Sequence, residues 1–302
     1  GVIAILGGVS RRTLESEIFT QAARLGNTST ATALAVLQTI IIGAVLLITR
    51  RNSQSLSTSL HVSAPQPLHT KPTHRATPLM FVAIAVVVVA SPLLATIYRS
   101  FVTNSQLSFS AWRSIFSGSL PSLSVSTQSV ISTSLIFAIA TACCCVPLAL
   151  LAAISSAPRS LFSLPLIFSA ATLGIGLIIT FNTSPFAWRS ERWFIPVIHA
   201  VIALPLVIRA LEPAARAIPA SLRNASATLG ASPFATWRRV ELPLLKPALL
   251  RATGLSMAVS LGEFGATSFL SRSGSTTLPI AIAQLLGRPG VATQQAGFVL
   301  AA

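Results

Sequence analysis

The chain has 302 residues, of which 52% are hydrophobic and only 9% are charged, and its mean hydropathy is +0.76. Soluble domains carry about 25% charged residues, so this composition excludes an ordinary soluble domain and indicates a membrane protein. The net charge of +15 is compatible with nucleic-acid binding, but the basic residues are scattered at the ends of apolar runs. We therefore expect no nucleic-acid partner.

Six apolar runs indicate membrane-spanning helices, and a seventh run is incomplete. They cover residues 31–49, 78–98, 131–154, 161–181, 193–210 and 247–270, and the incomplete run covers 291–302. These runs predict an all-α, polytopic transmembrane helical bundle. The stretch 50–77 is rich in Ser, Thr, Pro and His, which predicts a flexible cytoplasmic linker.

A weak internal repeat suggests two tandem halves. Residues 1–18 align without gaps on residues 265–282, with five identities that include Thr13-Leu14 against Thr277-Leu278. We interpret 1–49 as the end of a first half and 78–302 as a second half. Because residue 1 is Gly and the last run is too short to span a bilayer, we expect a fragment of a longer protein, truncated at both ends.

The polar stretch between the last two complete runs predicts a folded hairpin. Pro219 suits the first turn of a helix, and Gly230 suits the left-handed position that ends one. Ser232 followed by Pro233 predicts the cap and first residue of a second short helix. We expect Pro243 to end that second helix.

The spacing in this hairpin closely resembles the EAA loop of ABC importer permeases. In that family Glu-Ala-Ala is followed by Gly at the sixth position after Glu and, nine residues later, by Ile-x-Leu-Pro. Here Asn224-Ala225-Ser226 takes the place of the triplet, so the charge that Glu would offer to a basic ATPase residue is missing. The resemblance implies a coupling helix over 219–229 in an ATPase-coupling loop over 211–246, carried by Asn224, Ala225, Ser226, Gly230, Val240, Leu242 and Pro243.

The C-terminal part resembles the end of a permease half from the iron(III) ABC importers. The resemblance rests on the segment Ser260-Leu-Gly-Glu-Phe-Gly-Ala-Thr267 and on the segments over 277–282 and 286–290. Thiamine importers have a similar fused architecture, with both permease halves in one polypeptide. The resemblance implies a multi-pass protein of the bacterial inner membrane, with a type-1 permease core over about 126–302.

This family resemblance also implies a set of partners and a transport function. The partners are a separate ATPase, expected as a homodimer, an extracytoplasmic solute-binding protein and membrane lipid. Lys71 and Lys246 are the only lysines, and neither lies in a Gly-x-x-x-x-Gly-Lys-Ser/Thr loop. We therefore expect no enzyme activity and no bound cofactor in this chain, with ATP and Mg used by the partner. Iron(III) is the expected substrate, with thiamine or a phosphonate-like solute as alternatives.

Two residues within the apolar runs allow more than one interpretation. Glu263, flanked by Gly262 and Gly265, lies either on the translocation pathway or at a helix end where it bonds a freed backbone group. His199 is more often a packed, hydrogen-bonded side chain than a ligand. Cys143, Cys144 and Cys145 are consecutive on a helix and cannot converge on one metal, so we expect no metal site.

The basic residues also indicate an orientation. With the hairpin in the cytoplasm, twelve of the 21 basic residues lie on the inner side, which is the direction that the positive-inside rule favours. Arg99 and Arg113 then lie on the outer side. Two other classes compete with the importer: a membrane enzyme, for which the spans offer no nucleophile–base arrangement, and a channel or transporter that works without an ATPase.

Overall fold

The computed structural model describes residues 13–55, 72–103, 106–118, 123–155, 162, 164–182, 188, 191–272 and 274–302. The α-helices in these ranges are α1 (Leu14–Phe19), α2 (Thr28–Ser55), α3 (Pro72–Phe101), α4 (Ser110–Phe116), α5 (Thr127–Ile154), α6 (Ala170–Phe181), α7 (Phe194–Arg216), α8 (Ala220–Thr228), α9 (Pro233–Thr236), α10 (Leu242–Gly262), α11 (Gly265–Leu270), α12 (Leu278–Leu286) and α13 (Val291–Ala301). Shorter turns are the π-helical segments Thr20–Arg24 and Trp237–Glu241 and the 3-10 segment Leu164–Ile167. A two-stranded antiparallel pair joins β1 (Val102–Thr103) to β2 (Gln106–Leu107).

Five described helices are long and apolar enough to cross a membrane, which confirms the predicted all-α polytopic fold. They are Thr28–Ile48, Leu79–Phe101, Thr127–Ile154, Phe194–Arg216 and Pro233–Gly262. Helix α6 is apolar but has only 12 residues. At 1.5 Å per residue it extends about 18 Å, less than the bilayer hydrocarbon thickness of about 30 Å.

Two predicted continuous runs are interrupted. In 161–181 the 3-10 segment Leu164–Ile167 precedes helix α6, which begins at Ala170, where the Ser169 hydroxyl accepts the Thr172 N–H at 3.1 Å and caps the helix. In 247–270 the helix ends at Gly262 and a second begins at Gly265. The second break lies between the two glycines that flank Glu263.

The predicted linker over 50–77 is too long. Helix α2 continues to Ser55 and α3 begins at Pro72, so both ends of the stretch are helical. Adding polar residues to an established helix costs little once nucleation is complete. Residues 56–71 lie outside the described residues.

The repeat is described only in part, because residues 1–12 lie outside the described residues. Helices α1 and α12 both begin at the leucine that follows the aligned threonine. The caps differ: Thr13 and Ser16 form reciprocal bonds, whereas the Leu278 N–H donates to Ser134 Oγ at 2.7 Å. The similar helix starts agree with the predicted duplication, and the two-half architecture stays a prediction.

The chain forms two compact units. The first contains residues 1–42 and 128–280. Its largest core joins α5, α7 and α10 through small and aliphatic side chains, including Cys145, Ala149, Ala203, Leu211 and Ala252. Small residues let membrane helices approach closely. The van der Waals contact between them then stabilises the packing, because lipid provides no hydrophobic driving force between helices.

Helices α6 and α11 meet at two glycines. A Cβ atom on Gly174 would lie 2.7 Å from Phe269 Cδ2 and 3.1 Å from Ala266 Cα, and one on Gly265 would lie 2.7 Å from Ala170 Cβ. These distances are shorter than van der Waals contact. The backbones therefore approach as closely as they do only because both positions lack a side chain.

The second unit contains residues 43–127 and 281–302. Helix α13 packs against α3 and α4, and the buried Gln295 donates from Nε2 to the Ser100 carbonyl at 3.4 Å. Beyond the end of α3, the Phe101 ring stacks on Trp112 with centroids 5.2 Å apart and meets Phe109 edge-on at 5.5 Å. The last residue of α3, Phe101, thus belongs to an aromatic cluster.

We expect Gly174→Val to destabilise the fold by about 1–3 kcal/mol, because the new side chain overlaps Phe269 and the α11 backbone. Gly176→Val is the matched control, since a Cβ at Gly176 meets no atom within 4 Å and the change in helix propensity is the same. Thermal unfolding in detergent, followed by tryptophan fluorescence, measures both. Equal losses for the two variants would show that helix propensity, not the interhelical contact, determines the effect.

Candidate functional site

The first arm of the hairpin is a short, well-terminated helix. Pro219 is the residue before α8, with extended backbone angles (φ −66°, ψ 139°), so it precedes the first turn in which we expected it. At the other end Gly230 has φ +81°, the left-handed conformation that the sequence predicts. The Gly230 N–H donates to the Ala227 carbonyl at 2.9 Å and the Ala231 N–H to the Ser226 carbonyl at 3.1 Å. This pair of bonds is a Schellman motif and ends the helix sharply.

The second arm begins as predicted. The Ser232 hydroxyl accepts the Ala235 N–H at 3.3 Å, and Pro233 is the first helical residue. The predicted stop at Pro243 is wrong, however, because α10 begins at Leu242 and continues to Gly262.

A widened turn explains why the helix passes Pro243. Between α9 and α10 the segment Trp237–Glu241 is π-helical, and the Leu242 N–H donates to the carbonyl of Trp237, five residues back. Proline lacks the N–H that an α-helix needs at an interior position. Here Pro243 follows directly on the change in hydrogen-bond register, where a π-bulge already interrupts the α-helical ladder. The second arm and the following span are therefore one continuous helix, Pro233–Gly262.

Two side-chain contacts join the two arms. Ser226 Oγ lies 2.8 Å from Thr236 Oγ1, and Arg223 Nε donates to Glu241 Oε1 in an ion pair. The Glu241 side chain is 13% exposed, whereas that of Arg223 is 50% exposed. Sequence reasoning missed this ion pair, although Glu241 is one of only two acidic residues in 211–246. The hairpin is thus fixed onto the helix that enters the membrane.

The predicted coupling residues occupy different surroundings. Asn224, Ala225, Gly230 and Pro243 are exposed, whereas Ser226, Val240 and Leu242 are half-buried. The segment 220–236 also exposes three large apolar side chains that the motif does not contain: Leu222 at 40%, Leu229 at 87% and Phe234 at 67%. The Phe234 ring stacks on Trp237 with centroids 6.1 Å apart.

A buried polar cluster lies among the helices of the first unit. His199 Nδ1 is 2.8 Å from Ser260 Oγ, and His199 Nε2 is 2.7 Å from Thr267 Oγ1. Thr141 Oγ1 donates to the Pro196 carbonyl at 3.3 Å or to Ser260 Oγ at 3.2 Å. Each imidazole nitrogen thus forms a hydrogen bond with a hydroxyl group. His199 is therefore a packed, hydrogen-bonded side chain, as the sequence led us to expect, and not a ligand. The described residues contain no group of three His, Cys, Asp or Glu residues that could hold a metal ion.

Glu263 lies in the break between α10 and α11. It is only 9% exposed, and its Oε1 accepts the Ala266 N–H at 2.7 Å. The carboxylate therefore satisfies a backbone donor in the first turn of α11, as the second interpretation expected. Gly262 ends α10, and Gly265 packs on Ala170. A role for these three residues on a translocation pathway stays a prediction.

Five spanning helices among the described residues and a capped polar hairpin define a multi-pass helical membrane protein. Residues 146–302 match the family model described as binding-protein-dependent transport system inner membrane component. The chain belongs to this family, the ABC importer permeases of the bacterial inner membrane.

Similar proteins include permeases named for different solutes. PhnV of Salmonella typhimurium, named as a 2-aminoethylphosphonate transport system permease protein, is 34% identical over 131 residues, which cover 43% of this chain and 49% of the relative. The molybdenum transport system permease protein ModB of Haemophilus influenzae is 34% identical over 151 residues, covering 45% and 66%. ModB of Escherichia coli is 32% identical over 149 residues, covering 43% and 63%. The chain thus spans about half the length of the phosphonate relative that it matches.

We expect Arg223→Glu to raise amide hydrogen exchange in 220–229 by about two- to fivefold, the range for losing a partly exposed ion pair. Glu241→Arg should act likewise, and the double reversal should restore protection because it rebuilds the pair. Arg216→Glu is the control, since it breaks an ion pair of 2.9 Å with Glu212 in the preceding helix and leaves the arms joined. Faster exchange that the double reversal fails to restore would contradict an ion-pair clamp.

Proposed function

We propose that this chain forms the translocation pathway of an ATP-driven importer and that its hairpin couples the pathway to a separate ATPase. One observation carries the proposal: the hairpin is capped at Gly230 and Ser232 and is clamped onto the continuous helix Pro233–Gly262. A displacement of α8 would therefore move a membrane-spanning helix as a rigid body.

The packing of α10 supports transmission into the membrane. Its buried Ala248 and Ala252 lie in the same core as Val207 and Leu211 of α7. Close-packed helices shift together because their interfaces do not deform continuously. Motion delivered to α10 would thus reach α7, whose His199 also bonds Ser260 of α10.

The exposed apolar residues of the hairpin supply the docking contact in this proposal. Leu229 and Phe234 lie on either side of the turn at Gly230, and both are mostly exposed. We propose that they enter a groove on one subunit of a homodimeric ATPase, while an extracytoplasmic binding protein delivers solute to the opposite face. ATP and Mg are used by the ATPase, since neither lysine of this chain lies in a phosphate-binding loop.

For the solute we propose two candidates that an uptake assay separates. The name of PhnV supports a phosphonate, which was an alternative in the sequence analysis. The resemblance of the segment 260–267 to iron(III) permeases supports iron(III). The phosphonate is tested before iron(III), because PhnV is 34% identical over 131 residues, whereas the resemblance to iron(III) permeases rests on short segments.

We expect Leu229→Glu to lower recovery of the partner ATPase on the purified permease by at least about tenfold, because docking would bury a charge in an apolar contact. Leu107→Glu is the matched control, a 77% exposed leucine in β2. Co-purification and uptake of labelled 2-aminoethylphosphonate and iron(III) are measured with both variants. Normal ATPase recovery would contradict docking at Leu229, and uptake retained without bound ATPase would favour an ATPase-independent transporter.

We expect Glu263→Gln to leave the fold intact, since the amide oxygen still accepts the Ala266 N–H, and to reduce solute uptake by about tenfold if the charge serves the pathway. Glu212→Gln controls for the loss of one carboxylate, because Glu212 pairs with Arg216 on α7 instead. Unchanged uptake with Glu263→Gln would leave Glu263 with only its capping role.

A further inference from the structure

The second unit has an uncompensated positive charge. All six acidic residues of the chain are Glu15, Glu17, Glu191, Glu212, Glu241 and Glu263, and none lies in 43–127 or 281–302. Those two ranges contain seven basic residues: Arg50, Arg51, Lys71, Arg75, Arg99, Arg113 and Arg288. No ion pair with an acidic side chain can therefore form within this unit, and its cations require anions from elsewhere.

One of these cations borders a cavity. The cavity has a volume of about 380 Å³ and lies between the end of α3 and α13. Arg99 is among its lining residues, and the Arg99 Cζ lies 5.4 Å from the centroid of the Phe298 ring. A cation–π contact holds the guanidinium from one face and leaves the N–H groups at its edge available for an oxyanion.

Further hydrogen-bonding groups line the same cavity. Gln295 is 4% exposed and is anchored by its bond to the Ser100 carbonyl. Gln294 and Tyr98 are exposed and also border the cavity. An arginine with neighbouring amide and phenol donors is a donor set that suits a tetrahedral oxyanion such as a phosphate.

The cavity lies at the level expected for lipid headgroups. Arg99 is in the last turn of the span Leu79–Phe101, where the hydrocarbon region ends. Tyr98 and the cluster of Phe101 with Trp112 surround this end, and Tyr and Trp are enriched at the membrane–water interface. A ligand of this cavity would thus meet the guanidinium at headgroup depth.

The outer surface of α3 is suited to acyl chains. No residue of the most hydrophobic window of this span is buried inside the protein. The exposed side chains in the last turns of α3 before the cavity include Leu93, Leu94 and Ile97. An apolar helix surface next to an arginine that has no acidic partner within its own unit matches the two parts of a phospholipid.

We propose that this cavity binds the phosphate group of a membrane phospholipid, with the acyl chains along α3. A free oxyanion shares the phosphate chemistry, but the apolar surface below the cavity gives the lipid an additional contact. The orientation predicted from the basic residues assigns this lipid to the outer leaflet. The bound lipid neutralises Arg99 and fixes α3 against α13.

The test measures binding of phosphatidylglycerol to the permease purified in detergent, using native mass spectrometry. We expect Arg99→Gln to weaken lipid binding about tenfold, as expected for losing a charge-assisted contact. Arg113→Gln is the matched control, because Arg113 belongs to the same unit and does not line the cavity. Gln294→Leu alters an exposed lining residue with little risk to the fold and should weaken binding about threefold.

Two further ligands distinguish the sources of the phosphate. Diacylglycerol with the same chains should bind poorly, and excess inorganic phosphate or 2-aminoethylphosphonate should displace little lipid. Equal binding of diacylglycerol, or equal losses for Arg99→Gln and Arg113→Gln, would overturn the proposal. Full displacement by either free anion would also overturn it and would assign the cavity to a soluble oxyanion.

Discussion

The polar backbone groups at a helix end must find partners within the protein wherever lipid replaces water. In the first unit of this chain the helix breaks meet that constraint with short-range side chains. Ser169 caps α6, Glu263 bonds the first turn of α11, and Ser134 accepts the first N–H of α12. At the start of each of these three helices, a side chain thus satisfies one of the N–H groups that have no partner within the helix.

The capped ends are also what allow the helices to pack closely. The contact of α6 with α11 requires Gly174 and Gly265, and it places α11 where Thr267 reaches His199. The same imidazole bonds Ser260, so a single side chain connects α7 to both helices that flank the break at Glu263. Cohesion in this unit therefore comes from small-residue contact and a few internal hydrogen bonds, which is the usual situation for helices in lipid.

The features that could be predicted from the sequence were those determined by neighbouring residues. Gly230 and Ser232-Pro233 were recognisable because turn chemistry is local. The passage of the helix through Pro243 was missed because proline normally ends a helix, and the preceding π-turn carries no clear sequence signal. The Arg223–Glu241 ion pair joins residues 18 apart, and the contacts of His199 span more than 60 residues. Such pairs become visible only once the fold has brought the helices together.

The π-turn at Trp237–Glu241 determines how the hairpin is rotated relative to the membrane-spanning helix α10. A single π-turn holds one more residue than an α-helical path would, and each residue of an α-helix turns the chain by about 100°. Removing one residue there would rotate α8 and α9 together by about 100° relative to α10. The number of residues between Gly230 and Leu242 therefore determines how far the hairpin is rotated about the axis of α10. An insertion or deletion in the motif would therefore rotate the exposed face of the hairpin relative to the buried face of α10. The motif keeps its spacing without a gap, so both faces keep their orientation.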